Sequence, residues 1–453
     1  MNVLETTKST QQRAKIFSLF LSATRSSFWL FCVDIYPVLV SASIPWSTTA
    51  VAIFMIVWFF VLIPTIEPHS FLRSLKHPAC FLPIAFFALA VIGTLWADGS
   101  WSARLHGVSP VAKLLAIPFL FYHFERSTRG MWVFAAFLVS CVLLQAMSWI
   151  VAFDPRLALR AALNEDYYGV VAYGVPVKNY IDQSQEFALC AVALAHPTVT
   201  LLRAKRALPA ALLVAVSLSF VANMTFVIVS RTALVTMPIM LAAFALLHLK
   251  WRSVVIILCV TTVFAGCAWA ISPQLRWKAQ TVLMDYQLYE KQNAPTSVGL
   301  RLEFWKKSLR FFLEAPILGH GTGSIRELFE EAAADQSGAA AQVIGNPHNQ
   351  TLNVAVQWGT IGIVILYAMW LQHLLLFRGE GLTPWIGLIV VVQNFFTSVF
   401  NSHIFDFHEG WMYVLGVGVA GGLITSSGGA LSRLEACVTK EGDPTNVSLR
   451  LHR

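Results

Sequence analysis

The sequence predicts an all-α polytopic integral membrane protein, with about twelve transmembrane helices and one large helical loop outside the membrane. Three observations lead to this prediction. Hydrophobic residues make up 57% of the 453 residues, against roughly 45–50% in soluble domains. Charged residues make up only 12%, about half the usual share. Apolar runs of about 20 residues, long enough to cross a bilayer as a helix, recur along most of the chain.

Composition also excludes other classes of protein. The net charge of +8 is spread over many short segments, whereas a nucleic-acid binder gathers its basic residues on one face. Six of the seven cysteines lie in or beside apolar runs and the seventh, Cys437, lies in the C-terminal tail. We therefore expect no disulfide framework, no zinc ligand set and no nucleic-acid partner.

Twelve segments meet the criterion for a membrane span. They lie near 27–44, 48–65, 79–96, 109–123, 131–152, 185–202, 207–228, 232–248, 253–272, 351–376, 382–401 and 410–428. The first span holds Asp34 and Pro37, the fourth is short and carries Lys113, and the eighth is short. No signal-peptide pattern precedes the first span, so we expect that span to be retained.

The distribution of lysine and arginine predicts the orientation. With the N-terminus inside, the inner segments carry eighteen basic residues, and the short outer loops carry only Arg104 and Arg231. Both termini are then cytoplasmic, although loss of two spans together would keep the same parity. The predicted organisation is an N-terminal segment 1–26, spans one to nine within 27–272 with an outer loop at 153–184, a large outer loop 273–349, spans ten to twelve within 350–428, and a disordered tail 429–453.

The loop 273–349 is long enough to form a functional subdomain. Residues 297–312 have the pattern of an amphipathic helix lying on the membrane surface, with Arg301, Trp305 and Ser308 on one face. Pro316 ends this helix, and a glycine-rich turn, 319–324, follows. That turn lacks the preceding strand and the lysine-serine ending of a phosphate loop, which argues against nucleotide binding.

Arg231 stands between two apolar runs on the side where arginine is disfavoured. A structural interpretation is an arginine that reaches the interface and helps to end a helix. The functional interpretation is a phosphate clamp, because a guanidinium offers forked donors to phosphate oxygens.

His348 lies where the large loop re-enters the membrane, and it is followed by Asn349 and Gln350 as possible orienting residues. A histidine can take a proton from a sugar hydroxyl at neutral pH, although a lone histidine at a helix start is often only a cap. The last outer loop, 402–409, offers two histidines and two carboxylates. Their spacing fits no strong zinc pattern, so Asp406 is better interpreted as a partner of His348 or of an arginine, and no metal site is expected.

Arg231, Arg301, His348 and Asp406 come from four distant places in the sequence but map to one side of the membrane. Two cations, a base and a carboxylate at that surface suit a reaction on a lipid-linked diphosphate.

Short motifs in this part of the chain resemble those of the bacterial O-antigen ligases, O-antigen polymerases and oligosaccharide-protein ligases. The resemblance is strongest over about 230–365. It rests on Ser230-Arg231-Thr232-Ala233, Arg301 with Trp305, Pro316-Ile317-Leu318-Gly319-His320-Gly321, His348-Asn349 with Leu352, and Gly359-Thr360-Ile361-Gly362, in that order.

The resemblance implies a GT-C-like, metal-independent, inverting glycosyltransferase of the bacterial inner membrane with its active site on the periplasmic face. Its donor would be O-antigen on undecaprenyl diphosphate, its acceptor the lipid A-core of lipopolysaccharide, and its surroundings membrane lipids, with no cofactor. His348 would be the catalytic base, and Arg231 and Arg301 would bind the diphosphate. The substrate-binding residues would be Arg231, Arg301, Trp305, Asn349 and, by a weaker correspondence, Asp406.

Other functions remain open at this stage. An O-antigen polymerase or a protein O-oligosaccharyltransferase of the same superfamily is the nearest alternative. One dominant late loop of 77 residues favours the ligase, and the roughly 25 residues after the last span disfavour a protein-glycosylating enzyme. A lipid-linked sugar transporter or flippase is the alternative from another class, because Lys113, Asn223 and Asn394 lie within spans.

Overall fold

The computed structural model describes Thr24 and residues 26–159, 174–177, 179–228 and 230–441, apart from some side chains, that of Arg231 among them. The predictions for the N-terminal segment, for the middle of the loop 153–184 and for the end of the tail therefore fall outside the described residues. Every regular element within the described part is helical, which confirms the all-α prediction.

Within the described residues, the first half of the chain forms ten α-helices and the second half forms eight. The first ten are α1 (Ser27–Ser43), α2 (Thr48–Leu62), α3 (Pro68–Leu75), α4 (Pro78–Ile92), α5 (Trp101–Ala112), α6 (Ala116–Phe124), α7 (Gly130–Phe153), α8 (Tyr180–Ala193), α9 (Ala195–Arg203) and α10 (Ala207–Phe226).

Eight helices follow in the second half. They are α11 (Arg231–His248), α12 (Trp251–Ile271), α13 (Pro273–Gln292), α14 (Ser297–Glu314), α15 (Ile325–Ala333), α16 (Gln350–Leu376), α17 (Leu382–Thr397) and α18 (Phe407–Glu441).

The twelve apolar segments predicted to cross the membrane all coincide with helical structure. Seven helical segments of the described chain are long and apolar enough to cross a membrane, and three more apolar helices are shorter. These findings confirm a polytopic membrane protein; the number of twelve spans stays a prediction.

Two predicted boundaries are wrong. The fourth span begins at Trp101, because α5, a single 3₁₀ turn and α6 form one segment of 24 residues, so most of the predicted loop 97–108 is helical. Polar side chains such as that of Arg104 lower the hydropathy of this helix, so the search for apolar runs did not include it. The last helix continues to Glu441, into the tail that was predicted to be disordered from 429, because the alanine and leucine residues there favour helix without being apolar enough to count as a span.

The bundle has one large apolar core. Its fully buried members include Trp58, Phe86, Trp358 and Tyr413, which come from α2, α4, α16 and α18. The closest helix pairs include α6 with α18, α17 with α18 and α4 with α16. Helices that precede the large loop in the chain are therefore packed directly against helices that follow it.

The helix predicted at 297–312 is confirmed as α14, and its position on the membrane surface stays a prediction. Phe304 and Phe311 on its apolar face pack with Phe329 of α15 and Val356 of α16 in a second buried cluster. Burial of an aromatic ring of this size stabilises by about 1.5–3 kcal/mol. The cluster seats α14 on the beginning of α16, where His348 lies.

The glycine-rich turn after α14 closes a break in α16. Gly359 has φ 58° and ψ −152°, so α16 is kinked there and loses its regular hydrogen bonds. The amides of His320 and Gly321 donate to the carbonyls of Val356 and Gln357 at 2.8 and 2.9 Å. In return, the Thr360 amide donates to the Pro316 carbonyl at 2.8 Å. The 316–321 and 359–362 motifs of the family resemblance are therefore joined by backbone hydrogen bonds, and we call this joint the interlock. It explains the glycines as a structural requirement, with no nucleotide bound to them.

We expect Gly359→Ala to destabilise the protein. A Cβ at this position would lie 2.3 Å from the carbonyl oxygen of Ile317, and the backbone conformation is essentially restricted to glycine, at a cost of about 1–3 kcal/mol before the clash is counted. The measurement is the thermal unfolding midpoint in detergent. The control is Gly266→Ala in α12, where an added Cβ has no neighbour within 4 Å. An unchanged midpoint for Gly359→Ala would refute the interlock.

Candidate active site

His348 lies two residues before α16 and adopts a left-handed backbone conformation, with φ 53°. A left-handed conformation is uncommon for a residue other than glycine and often marks a functional position. The backbone amide of His348 donates to Asn346 Oδ1 at 3.0 Å. Its ring stacks on Phe304 of α14, with centroids 6.2 Å apart and planes inclined by 29°. The imidazole is therefore held by both the backbone before α16 and the loop helix.

The side chain of His348 is connected to Asp406 through Asn401. His348 Nδ1 lies 2.8 Å from Asn401 Oδ1, and Asn401 Nδ2 donates to Asp406 Oδ2 at 2.6 Å. Asn401 and Asp406 lie in the short loop between α17 and α18. The predicted partnership between Asp406 and His348 thus exists in the structure, but it is indirect.

The surroundings of His348 favour its neutral form. Burial lowers the pKa of His348 below its ordinary value, the hydrogen bond with Asn401 opposes this shift, and the charge of Arg301 adds to it. At neutral pH the imidazole is therefore unprotonated and available to accept a proton.

Arg301 lies on α14, one turn before Phe304. Because its charge acts on His348, the guanidinium lies within electrostatic range of the imidazole, as the sequence predicts. Trp305 lies one turn after Arg301 on α14. Its indole N–H is buried with no hydrogen-bond partner among the described residues. A buried donor without a partner is costly, which suits a residue that binds a substrate oxygen. The roles of both residues stay predictions.

Arg231 is the first residue of α11. Near the other end of α11, the ring of Phe244 lies 4.9 Å from that of Trp385, close to the beginning of α17. The two helices are therefore antiparallel neighbours. The backbone of Arg231 thus lies at the end of the bundle where α17 leads into Asn401. The side chain of Arg231 lies outside the described structure, so its convergence with Arg301 stays a prediction.

The neighbours expected to orient His348 have other contacts. Asn349 Oδ1 caps α16 by accepting from the Leu352 amide at 3.0 Å, and its Nδ2 donates to the Val399 carbonyl at 3.1 Å. Gln350 Oε1 accepts from the Ile404 amide at 2.9 Å. Both residues hold the loop after α17 against α16, and the substrate-binding role of Asn349 stays a prediction.

Sequence reasoning missed Asn346 and Asn401, the residues that do contact His348. Both lie within motifs that drew attention for their histidines and carboxylates. An asparagine carries no titratable group, so only its spatial position reveals its role.

Three side chains of the loop after α17 come close enough to hold a metal ion. One ligand atom each from His403, Asp406 and Glu409 lies within 4.8 Å of the others. Burial alone would lower the pKa of His403, but the Glu409 and Asp406 carboxylates outweigh it and raise that pKa to about 10. The protonated imidazole then lies 3.1 Å from Asp406 Oδ2 and 3.6 Å from Glu409 Oε2.

A second cation lies beside this cluster. The Lys113 ammonium donates to the carbonyls of Phe405 and Asp406 at 2.9 and 2.5 Å. The same three side chains form an ion-paired cluster when His403 is protonated and supply metal ligands when it is not. That no metal ion binds here stays a prediction.

The described helices form a membrane-spanning bundle, and a histidine, an arginine and a carboxylate are gathered at one end of it. These features define the class of protein: a polytopic membrane protein with a candidate active site at its surface. Residues 213–367 match the family model described as O-antigen ligase. This segment contains Arg231, Arg301 and His348. Over these residues, the match confirms the resemblance to the O-antigen ligases predicted from the motifs.

An uncharacterised protein of Haemophilus influenzae is 35% identical over 78 residues. The aligned segment is 17% of this chain and 20% of that protein, so it spans about a fifth of the length of the relative.

Proposed function

We propose that this protein is an O-antigen ligase that transfers a polysaccharide from undecaprenyl diphosphate to a sugar hydroxyl of lipid A-core. The reaction takes place at the periplasmic face of the bacterial inner membrane, with both termini cytoplasmic. The observation that carries the proposal is His348, held unprotonated by burial and stacked on the helix that bears Arg301, within the segment that matches the ligase family.

The proposed step is a single displacement. His348 accepts the proton of the acceptor hydroxyl while that oxygen attacks the anomeric carbon of the donor. The bond between this carbon and the diphosphate oxygen breaks, and undecaprenyl diphosphate leaves with the electron pair. Attack opposite the leaving group inverts the anomeric configuration. Arg301 and Arg231 offset the charge that develops on the diphosphate, which is the usual role of positioned cations at a leaving group.

The polar residues that favoured a transporter have structural partners. Lys113 binds carbonyls of the loop after α17, Asn223 Nδ2 donates to Ser148 Oγ at 3.0 Å, and Asn394 Oδ1 accepts from the Trp370 indole at 3.1 Å. Buried polar groups of a helical bundle commonly pair in this way. These contacts account for Lys113 and Asn223 without a transport path, whereas Nδ2 of Asn394 has no hydrogen-bond partner among the described residues.

Reconstitution tests the proposal directly. The purified protein is incorporated into proteoliposomes with a lipid-linked O-antigen and, in separate reactions, lipid A-core or an acceptor peptide, and the products are separated and analysed. We expect one glycan block joined to the lipid A-core. Longer chains on undecaprenyl diphosphate would identify a polymerase instead, a glycosylated peptide acceptor would identify a protein ligase, and movement of donor without bond formation would identify a transporter.

The rate of transfer should fall at acid pH. Because the pKa of His348 is lowered, its neutral form persists through neutral pH, and the base is lost only as the pH falls through that lowered value. We expect a rate that is level near pH 7 and an acid limb with its midpoint below about 6.5, the ordinary value for histidine. The measurement is the initial rate between pH 4.5 and 8, with donor binding followed in parallel. A midpoint above pH 7 would exclude His348 as a base of this kind.

Transfer should not depend on a metal ion. The arginines take the role that a divalent cation has in many sugar transfers, and His403 forms ion pairs with the carboxylates of Asp406 and Glu409. We expect an unchanged rate in excess chelator. A loss of rate that magnesium or manganese restores would make His403, Asp406 and Glu409 a metal centre.

A further inference from the structure

We propose that Asp406 and Asn401 act as positioning residues that fix which nitrogen of His348 carries the proton, so that Nε2 is left as the base. This inference rests on the proposed function, and it replaces the substrate-binding role predicted for Asp406 with an action on the catalytic base. Two groups near His348 can take only one hydrogen-bonding role each, and they fix the orientation of the amides between them.

The first fixed group is the Asp406 carboxylate, which accepts hydrogen bonds but cannot donate them. Its Oδ2 lies 2.6 Å from the amide group of Asn401, so the atom facing it must be the NH₂ of that amide. The carbonyl oxygen of Asn401 must then point the other way, toward His348.

The second fixed group is the backbone amide of His348, which only donates. It donates to Asn346 Oδ1 at 3.0 Å, which sets the orientation of the Asn346 amide. The NH₂ of Asn346 then donates to Asn401 Oδ1 at 3.2 Å. Two independent anchors, one a carboxylate and one a backbone amide, therefore agree on the orientation of Asn401. This orientation follows from the roles of the partners and does not depend on telling oxygen from nitrogen.

The imidazole tautomer is the consequence. Asn401 Oδ1 can only accept, and it lies 2.8 Å from His348 Nδ1, so Nδ1 must carry a hydrogen. In a neutral imidazole the other nitrogen, Nε2, then holds the lone pair. A second residue that fixes the tautomer of a base in this way is worth several orders of magnitude in the hydrolases that use a Ser-His-Asp arrangement.

The amide between the carboxylate and the imidazole limits what Asp406 can do. An asparagine transmits orientation but does not take up and release a proton at neutral pH, so no proton passes from His348 to Asp406. Asp406 lies within the ion-paired cluster with His403, which holds its carboxylate in place. The loop after α17 thus serves to orient the base.

The test is Asp406→Asn, a change of nearly the same shape. An amide at this position can donate to Asn401 as well as accept from it, so only the Asn346 anchor still sets the orientation of Asn401. In the molecules in which Asn401 turns, its NH₂ faces His348 Nδ1, the hydrogen moves to Nε2 and the base is lost. We expect kcat to fall by about 10–10²-fold, the weight of one hydrogen bond to a charged group, with KM for the donor changed by less than about threefold. The matched control is Asp154→Asn, the same change at an exposed carboxylate that only caps a turn, and it should leave the rate unchanged.

A double-mutant cycle separates positioning from a purely structural role. If Asp406 acts through Asn401, then in the Asn401→Ala background the further change Asp406→Asn should lower kcat by less than about threefold. Multiplication of the two single losses would overturn the proposal, as would an Asp406→Asn variant with nearly normal kcat. A lowered unfolding midpoint together with equal losses in binding and turnover would also overturn it.

These outcomes are distinct from failure of the proposed function. If the wild-type protein transfers glycan and loses this activity in His348→Ala but not in Asp406→Asn, only the positioning inference fails. If the wild-type protein forms no glycosidic bond with lipid A-core, the proposed function fails.

Discussion

Replacement of His348 by alanine should abolish glycan transfer while leaving the folded protein and its donor affinity close to normal. A positioned acid or base contributes about 10²–10⁴-fold to a rate. Among the described residues, the ring makes one side-chain hydrogen bond and one stacking contact, and the contact of the His348 backbone amide with Asn346 survives the substitution. The measurements are the initial rate in proteoliposomes, the affinity for lipid-linked donor and the thermal unfolding midpoint.

A second variant and a matched control accompany this prediction. His348→Gln keeps a polar side chain of moderate size but supplies no base, and it should be as inactive as the alanine variant. His106→Ala removes an exposed histidine of α5 and should leave the rate unchanged. Turnover of His348→Ala within a factor of a few of the wild type would remove His348 from the mechanism.

Replacement of Arg301 or Arg231 by alanine should weaken donor binding as well as turnover. Removal of one donor aimed at developing negative charge lowers kcat by about 10²–10³ in enzymes that stabilise an anion. The loss should extend to KM, because the diphosphate is charged in the ground state too. Arg301→Ala has a further expected effect: the charge of Arg301 helps to lower the pKa of His348, so the acid limb of any residual activity should move to higher pH.

Lysine tests whether these positions need a guanidinium. A point charge cannot reproduce the bidentate contact with a diphosphate, so Arg301→Lys and Arg231→Lys should recover little activity. Arg310→Ala is the matched control: it lies on the same helix as Arg301, with 58% of its side chain exposed, in an ion pair with Glu314. Full recovery by lysine at both positions would show that they supply only general positive charge. That Arg231 and Arg301 hold one diphosphate remains a prediction.

Much of the candidate site could be predicted from residue chemistry alone. His348, Arg301 and Asp406 are ionisable groups at the ends of apolar segments, and such groups are costly near a membrane unless they have a role. The structure brings His348 into contact with the helix that carries Arg301 and connects it to Asp406. It also assigns structural contacts to Asn349 and Lys113, which the sequence left open.

Hydropathy is a local property, and it sufficed to determine the class of protein, the helices that coincide with the twelve apolar segments and the amphipathic helix of the large loop, but not α3, α13 or most of α5. The partners of polar groups are not local. Asn401 is 53 residues from His348, and the amides of His320 and Gly321 fill the break in α16 from more than thirty residues away. Such pairings depend on the direction of donors and acceptors after the helices pack, because an unpaired buried polar group is costly and each must find a partner in the folded chain. Only the tertiary structure decided that an asparagine stands between the carboxylate and the histidine.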